Sequence, residues 1–310
     1  MQILYLFEKI RVPVLNEFML LITELGDETA FLVAAMIVFW CVDKKRGYYV
    51  MAVGFLGTML NQFLKLTFRV PRPWMKDPGF TILEQAREAA TGFSFPSGHT
   101  TSAVCTFGSI ALFAERRWVR NVCIAICILV PVSRMYVGVH TFWDVMVGGV
   151  LALYLVKILS PLCWKTSDQA FKDILSLLLG LAVTLLLYTK FFPFSIAQDQ
   201  LHNLESGAKN AYTMVGAISG LMVVYPLERK YVNFETKAIW WAQILKVVLG
   251  LGLVLVVKEG LRAPLEMLFS GHLVARAIRY HAIVLVAGLV WPMSFKWFSK
   301  LGAKNELRGN

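Results

Sequence analysis

Charge is scarce in this chain, and that scarcity excludes a great deal. Only 16% of the 310 residues are Asp, Glu, Lys or Arg, against about 25% in ordinary soluble domains. With 57% hydrophobic residues and a mean hydropathy of +0.60, the composition excludes a soluble globular fold. It predicts an all-helical, polytopic integral membrane protein. Acids are scarcer than bases, 20 against 31, which leaves a formal charge of +11. That excess lacks a contiguous basic face with interleaved aromatics, so no nucleic-acid partner is expected. None of the five cysteines falls in a predicted outer loop, which argues against a structural disulfide. Cys123 and Cys127 stand one helical turn apart without the two further ligands a zinc site needs. The opening residues MQILYLFEKIRVP lack a basic stretch followed by a cleavable apolar core, so no removable signal peptide is expected.

What the chain does have is long apolar segments. Residues 3–22 mix apolar residues with Glu8, Lys9, Arg11 and Glu17 around Pro13, which reads as an interfacial amphipathic helix. About nine transmembrane helices follow, at 28–42, 47–64, 98–114, 119–133, 141–160, 173–192, 209–227, 238–257 and 280–298. Basic residues cluster in Asp43–Arg46, Glu115–Arg120, Lys157–Lys172, Glu228–Lys237 and the tail after Lys296. All of these alternate onto one side, which the positive-inside rule makes cytoplasmic. The loop 65–97 falls on the other side yet carries Lys65, Arg69, Arg72, Lys76 and Arg87. A loop that breaks the charge rule needs another use for its cations, and phosphate binding is one. Two parts are expected: a catalytic helical core at 1–165, and a membrane domain of about four helices at 166–310. No internal repeat links them.

Three stretches carry the chemistry, each at the edge of an apolar segment. In Lys65–Pro73, Asn61 and Lys65 share a helix face, and two prolines fix the backbone around Arg72. A planar guanidinium matches two phosphate oxygens, while lysine supplies a point charge. Snorkelling at a helix end is the ordinary alternative for Lys65. In Pro96–His99, a Pro-Ser-Gly turn leads into a helix whose first N–H groups favour an anion. Gly98 admits a phosphate, Ser97 adds a donor and His99 stands beside it; a plain N-cap is the alternative. In Ser133–Asp144, His140 and Asp144 are four apart at a helix start. That spacing lets the carboxylate orient the imidazole and leave its other nitrogen nucleophilic. A structural His–Asp pair would look the same, but ionisable groups at membrane depth are usually functional.

The order K-x6-RP, PSGH, SR-x5-H-x3-D resembles the signature of the type 2 phosphatidic acid phosphatase family, the membrane branch of the vanadium haloperoxidase and acid phosphatase superfamily. Lys65, Arg72, Pro73, Pro96–His99, Ser133, Arg134, His140 and Asp144 fit it without departure. The resemblance implies that His140 attacks phosphorus to form a phosphohistidine, that Asp144 orients it, and that His99 protonates the leaving oxygen and then activates water. It implies that Lys65, Arg72, Ser97, Gly98 and Arg134 bind the phosphoryl oxygens. No carboxylate cluster suited to a metal lies near the motifs, so no metal or cofactor is expected. The Thr23–Asp27 run and Trp74 after Pro73 are similar to a bacterial subgroup related to sphingosine-phosphate phosphatases. That finer likeness implies a bacterial, inner-membrane enzyme, and the loop charges put its three motifs on the outward face.

The expected activity is removal of a terminal phosphate from a lipid phosphate or diphosphate. Undecaprenyl diphosphate, phosphatidylglycerol phosphate, phosphatidic acid and a sphingoid phosphate are the candidate substrates. A lipid head-group phosphotransferase would use the same site; a lipid transporter would bind without needing a nucleophile. The last four helices are expected to enclose a lipid groove or to mediate a homodimer. Ser270-Gly271-His272 looks like the central motif but lacks its proline and reads as a loop.

Overall fold

A computed structural model describes residues 1–301 apart from 166, 196 and 197. The described residues are helical or irregular, with no strand among them. In chain order the helices are α1 (Gln2–Lys9), α2 (Pro13–Glu24), α3 (Glu28–Ile37), α4 (Lys44–Phe68), α5 (Pro73–Lys76), α6 (Gly98–Ala103), α7 (Ser109–Phe113) and α8 (Arg117–Tyr136). There follow α9 (Phe142–Ile158), α10 (Pro161–Trp164), α11 (Asp168–Phe191), α12 (Leu201–Leu227), α13 (Trp240–Gly260), α14 (Arg262–Leu268), α15 (Val274–Leu285) and α16 (Phe295–Lys300). Short π-helical turns extend α3 through Val38–Val42 and join α6 to α7 through Val104–Gly108.

Seven described helices are long and apolar enough to cross a membrane, or eight if the bent pair Pro13–Glu24 and Glu28–Val42 counts as one span. The expectation of nine is not met, and length explains why. The segment from Gly98 to Phe113 is built of six, five and five residues, below the roughly 20 that a bilayer core requires. The N-terminal region also differs from one surface helix. It breaks after Lys9, and α2 meets α3 at a 56° bend. Pro13 at the first position of α2 suits a helix start, where its missing N–H has no partner to lose. The polar residues expected to face head groups instead pin the break to loops. Arg11 donates to the carbonyls of Tyr136 (3.1 Å) and Thr81 (2.9 Å), and Glu8 accepts from the Thr81 N–H at 3.1 Å. Lys304 and Arg308, in the tail beyond Leu301, lie outside the described residues.

The chain forms two compact units. The first comprises Met1–Leu32, Tyr49–Cys163 and Leu187–Ala208; the second comprises Val33–Tyr48, Trp164–Leu186 and Lys209–Asn310. Within the first, α6 packs against α8 and α9, and α2 lies along α8. Leu4, Phe80, Ile82, Met135 and Val145 form one buried cluster, with Ala86, Ala90, Tyr136, Val137 and Val139 forming another. These clusters hold the long loop after α5 against the ends of α8 and α9. In the second unit, buried Glu228 pairs with Lys44 at 3.0 Å and accepts from Tyr48 at 3.4 Å. Fully buried Lys246 donates to the carbonyls of Trp40 and Thr236 at 3.1 and 3.0 Å.

Candidate active site

All three motifs fall in the first unit and converge. Lys65 projects from the last turn of α4 and donates to the Phe93 carbonyl. Arg72, just before α5, donates from Nε to Gly92 O (3.1 Å), from Nη2 to Thr91 O (2.7 Å) and from Nη1 to Val139 O (3.0 Å). The loop 91–93 thus presents three consecutive carbonyls to two cations. Positive φ at Gly92, 70°, lets that loop turn there without a side chain in the way.

The second motif starts α6. Ser97 is the N-cap: its Oγ accepts from the Thr100 N–H at 3.4 Å and from the Thr100 hydroxyl at 3.0 Å. Its backbone N–H donates to Asp144 O at 2.8 Å, which ties α6 to α9. That close approach needs Gly148, where a Cβ would stand 2.9 Å from Ser97 O. Asn61 adds a tie, donating to Pro96 O at 3.3 Å and Thr101 Oγ1 at 3.1 Å. A Cβ on Gly98 would lie 3.6 Å from Asn61 Oδ1 and 3.9 Å from Lys65 Cε, so this glycine faces the lysine side of the site. Buried His99 Nε2 has no hydrogen-bond partner among the described residues. His99 lies within Coulombic range of Arg134, His140, Arg72 and Lys65.

The third motif completes the cluster. Asp144 is the third residue of α9 and forms a capping box with Thr141. Its Oδ2 accepts from the Thr141 N–H and from Ser94 Oγ, each at 2.7 Å. The same oxygen stands 3.6 Å from His140 Nδ1, slightly beyond hydrogen-bond length. On the other side of the ring, Arg72 Nη1 is 2.9 Å from His140 Nε2. A guanidinium can only donate, so Nε2 carries the lone pair and the ring proton sits on Nδ1, toward Asp144. This is the tautomer that a nucleophile at Nε2 requires. Burial, and then the charge of Arg72, hold His140 well below the ordinary histidine range, so it is neutral at physiological pH.

Arg134, fully buried at the end of α8, differs from Arg72 in its partners. Its Nη1 donates to Thr23 Oγ1 at 2.8 Å, while Nε and Nη2 find no partner among the described residues. Five N–H groups on a buried guanidinium with so little satisfaction are costly without an anion. Lys65, Arg72 and Arg134 bring three cations, and among the described residues Asp144 is the only carboxylate buried with them. The balance is about two positive charges, the complement of a phosphate monoester dianion at neutral pH.

Lys65, Arg72, Ser97, Gly98, His99, Arg134, His140 and Asp144 all lie in the first unit, and His99 and His140 both feel the charges of Arg72 and Arg134. Three contributors were not foreseen: Ser94 and Thr141, which anchor Asp144, and Thr23, which holds Arg134. Gly26 was also missed: a Cβ there would come within 2.9 Å of His99 Cβ and His99 O, so α2 and the bend after it back the second histidine. The Thr23–Asp27 run was the available signal.

Comparison with known proteins follows this geometry. The model of the PAP2 superfamily matches residues 45–168, and that of the PAP2 superfamily phosphatase transmembrane extension matches residues 212–304. Phosphatidylglycerophosphatase B of Bacillus subtilis is 33% identical over 48% of this chain and 76% of its own length. Sphingosine-1-phosphate phosphatase 1 of Mus musculus is 26% identical over 76% of this chain, which spans 57% of that protein. Undecaprenyl-diphosphatase BcrC of Bacillus subtilis is 29% identical over 46% of this chain and 72% of its own length. A crystal structure of a transmembrane PAP2-type phosphatidylglycerolphosphate phosphatase from Bacillus subtilis is 30% identical, covers 54% of this chain and 85% of its own, and superposes with a TM-score of 0.45.

Proposed function

The chain belongs to the PAP2 superfamily of phosphatases, and from that premise we propose that it hydrolyses the terminal phosphate of a membrane lipid phosphate or diphosphate through a phosphohistidine. One observation carries the reading: the partnerless N–H groups of buried Arg134 beside a histidine whose Nε2 holds its lone pair. Phosphoryl transfer depends on positioning and charge stabilisation, and these residues supply both.

The lipid phosphate enters between Arg134, Arg72, Lys65 and the start of α6, with Ser97 and the Gly98 N–H completing the cradle. His140 Nε2 forms a bond to phosphorus as the bond from phosphorus to the lipid oxygen breaks. The bound phosphate dianion offsets the cations around His99, so His99 is protonated in the complex and gives that proton to the leaving oxygen. Negative charge gathers on the phosphoryl oxygens, where the three cations neutralise it, while Asp144 stabilises the charge on His140. His99, now neutral, takes a proton from water; the hydroxyl adds to phosphorus, the bond to Nε2 breaks, and phosphate leaves.

The basic loop 65–97 belongs on the outer side of the membrane in this reading, so the site faces outward, in a bacterial inner membrane. Undecaprenyl diphosphate leads the substrates, since its recycling needs an outward-facing phosphatase; phosphatidylglycerol phosphate, phosphatidic acid and sphingoid phosphates follow. Residues 166–310 serve lipid selection or join two copies as a homodimer, and the mass of the solubilised particle decides the second.

The experiment is phosphate release from a panel of lipid phosphates and diphosphates by the purified chain and by His140→Ala. Acid-labile, base-stable labelling of the wild type by a radioactive terminal phosphate is expected, and none in the variant. Equal release by the variant would overturn the mechanism.

A further inference from the structure

The second unit carries buried positive charge that the catalytic reading leaves unused. Arg276 and Arg279 stand in the first two turns of α15, three residues apart and so on one helix side. Both guanidiniums lie over the ring of Tyr280, at 5.3 and 5.9 Å from its centroid. Arg276 Nε donates to Thr213 Oγ1 on α12 at 2.6 Å, and that hydroxyl donates in turn to Lys209 O at 2.9 Å. Arg279 is only 8% exposed, and its Nε has no hydrogen-bond partner among the described residues. Neither arginine has a carboxylate partner there, although nearby Arg262 has one in Glu266 at 3.4 Å.

Two features of this placement run against stability unless an anion is present. The N-terminal end of a helix already carries partial positive charge, and cations there are unfavourable. Like charges on one side of a helix repel as well. The packing also leaves the pair little room to move away. A Cβ on Gly216 would come within 2.1 Å of Ala277 O, and Ser219 Oγ sits 2.8 Å from His281 Nδ1, so α12 and α15 are locked together along this side.

Depth in the membrane selects the anion. The apolar span beginning at Val274 runs to Lys300, so Arg276 and Arg279 lie at the end of a span, at the level of lipid head groups. Exposed Met267, Leu268 and Ile278 surround that level with apolar surface suited to acyl chains. We propose that Arg276 and Arg279, with Thr213 holding the first, form a second anion site that takes the head-group phosphate of an anionic phospholipid. This site stands whether or not the catalytic reading holds.

The test uses the full-length chain in detergent with Arg134→Gln, which disables the first anion site. It is titrated with dihexanoyl phosphatidylglycerol, with inorganic phosphate and with dihexanoyl phosphatidylcholine. A saturable site for phosphatidylglycerol is expected, weakened about tenfold or more when Arg276→Gln and Arg279→Gln are added, as befits lost charge-assisted hydrogen bonds. Arg276→Lys with Arg279→Lys should recover part of that binding. With Arg134 left intact, the double Gln variant should keep the wild-type turnover of lipid phosphate, which certifies its fold; if it does not fold, Arg276→Gln alone is read in its place. Affinity within about twofold of the parent for either set of Gln variants would overturn the site, twofold being below the worth of one such bond. Equal affinity for inorganic phosphate would overturn the lipid assignment, and tight phosphatidylcholine binding would overturn the role of net charge.

Discussion

Arg72 Nη1 meets His140 Nε2 at 2.9 Å, and this one contact sets which nitrogen of the histidine keeps its lone pair. The same guanidinium is pinned by the carbonyls of Thr91, Gly92 and Val139. In the proposed reaction Arg72 therefore has two duties: it tunes the nucleophile, and it must turn part of its fork toward phosphate during turnover.

Arg72→Lys tests the first duty. An ammonium keeps the charge but cannot span three carbonyls and an imidazole. The kcat for lipid phosphate hydrolysis should fall by about 10²-fold or more, the scale of losing one positioned donor in a reacting site. A kcat within a few-fold of wild type would show that charge alone suffices.

Thr23→Val removes, at constant shape, the one acceptor that Arg134 has among the described residues. Phosphate binding should weaken, with KM rising by about tenfold, the worth of one hydrogen bond to a charged group. Thermal stability should move little. Steady-state kinetics beside a melting curve separates these outcomes.

Ser94→Ala takes away one of the two short bonds to Asp144 Oδ2. The carboxylate then orients His140 less well, and kcat should drop by about tenfold, as is usual when a supporting partner is lost. KM should hold. A change in KM alone would place Ser94 in substrate binding.

Gly26→Ala pushes a methyl into His99 and Val130, at 2.9 and 2.8 Å. Overpacking of this kind costs about 1–3 kcal/mol. The variant should lose stability and, through a displaced His99, turnover together; unchanged values for both would show that α2 gives way freely.

Acid should destabilise the protein through His140. Its pKa in the folded chain is depressed by burial and Arg72, so the unfolded chain takes up the proton first as pH falls. Stability from the neutral form is complete above the unfolded value of about 6.5 and is lost below it, at no more than about 1.4 kcal/mol per pH unit. The melting temperature of the wild type should therefore fall more steeply than that of His140→Ala as pH drops from 7.5 towards 5. Parallel curves would mean that His140 titrates normally.

The polar ends of the site were legible in the sequence because they are unusual residue types at fixed spacings in an apolar chain. Lys65, Arg72, Ser97, His99, Arg134, His140 and Asp144 all stand out for that reason. What holds them was not legible. Phe93, Gly92, Thr91 and Val139 act through carbonyls, which every residue possesses, and Thr23 reaches Arg134 across 111 positions. Helical character followed from composition, but the number of spans did not. A segment such as Gly98–Phe113 reads as apolar but stops short of a span's length, and the break after Lys9 depends on Arg11 finding distant carbonyls.

Two of the three cations of the first site, Lys65 and Arg72, are gripped by a strip of main chain, and this makes their placement sensitive to spacing more than to lettering. Recoding Thr91 to another exposed residue should be silent, because its contribution to Arg72 has no side chain in it. Removing or adding one residue between Ala90 and Ser94 would shift every carbonyl off its cation at once. Anyone transplanting this chemistry into another helical scaffold should copy the loop's count first and its alphabet second.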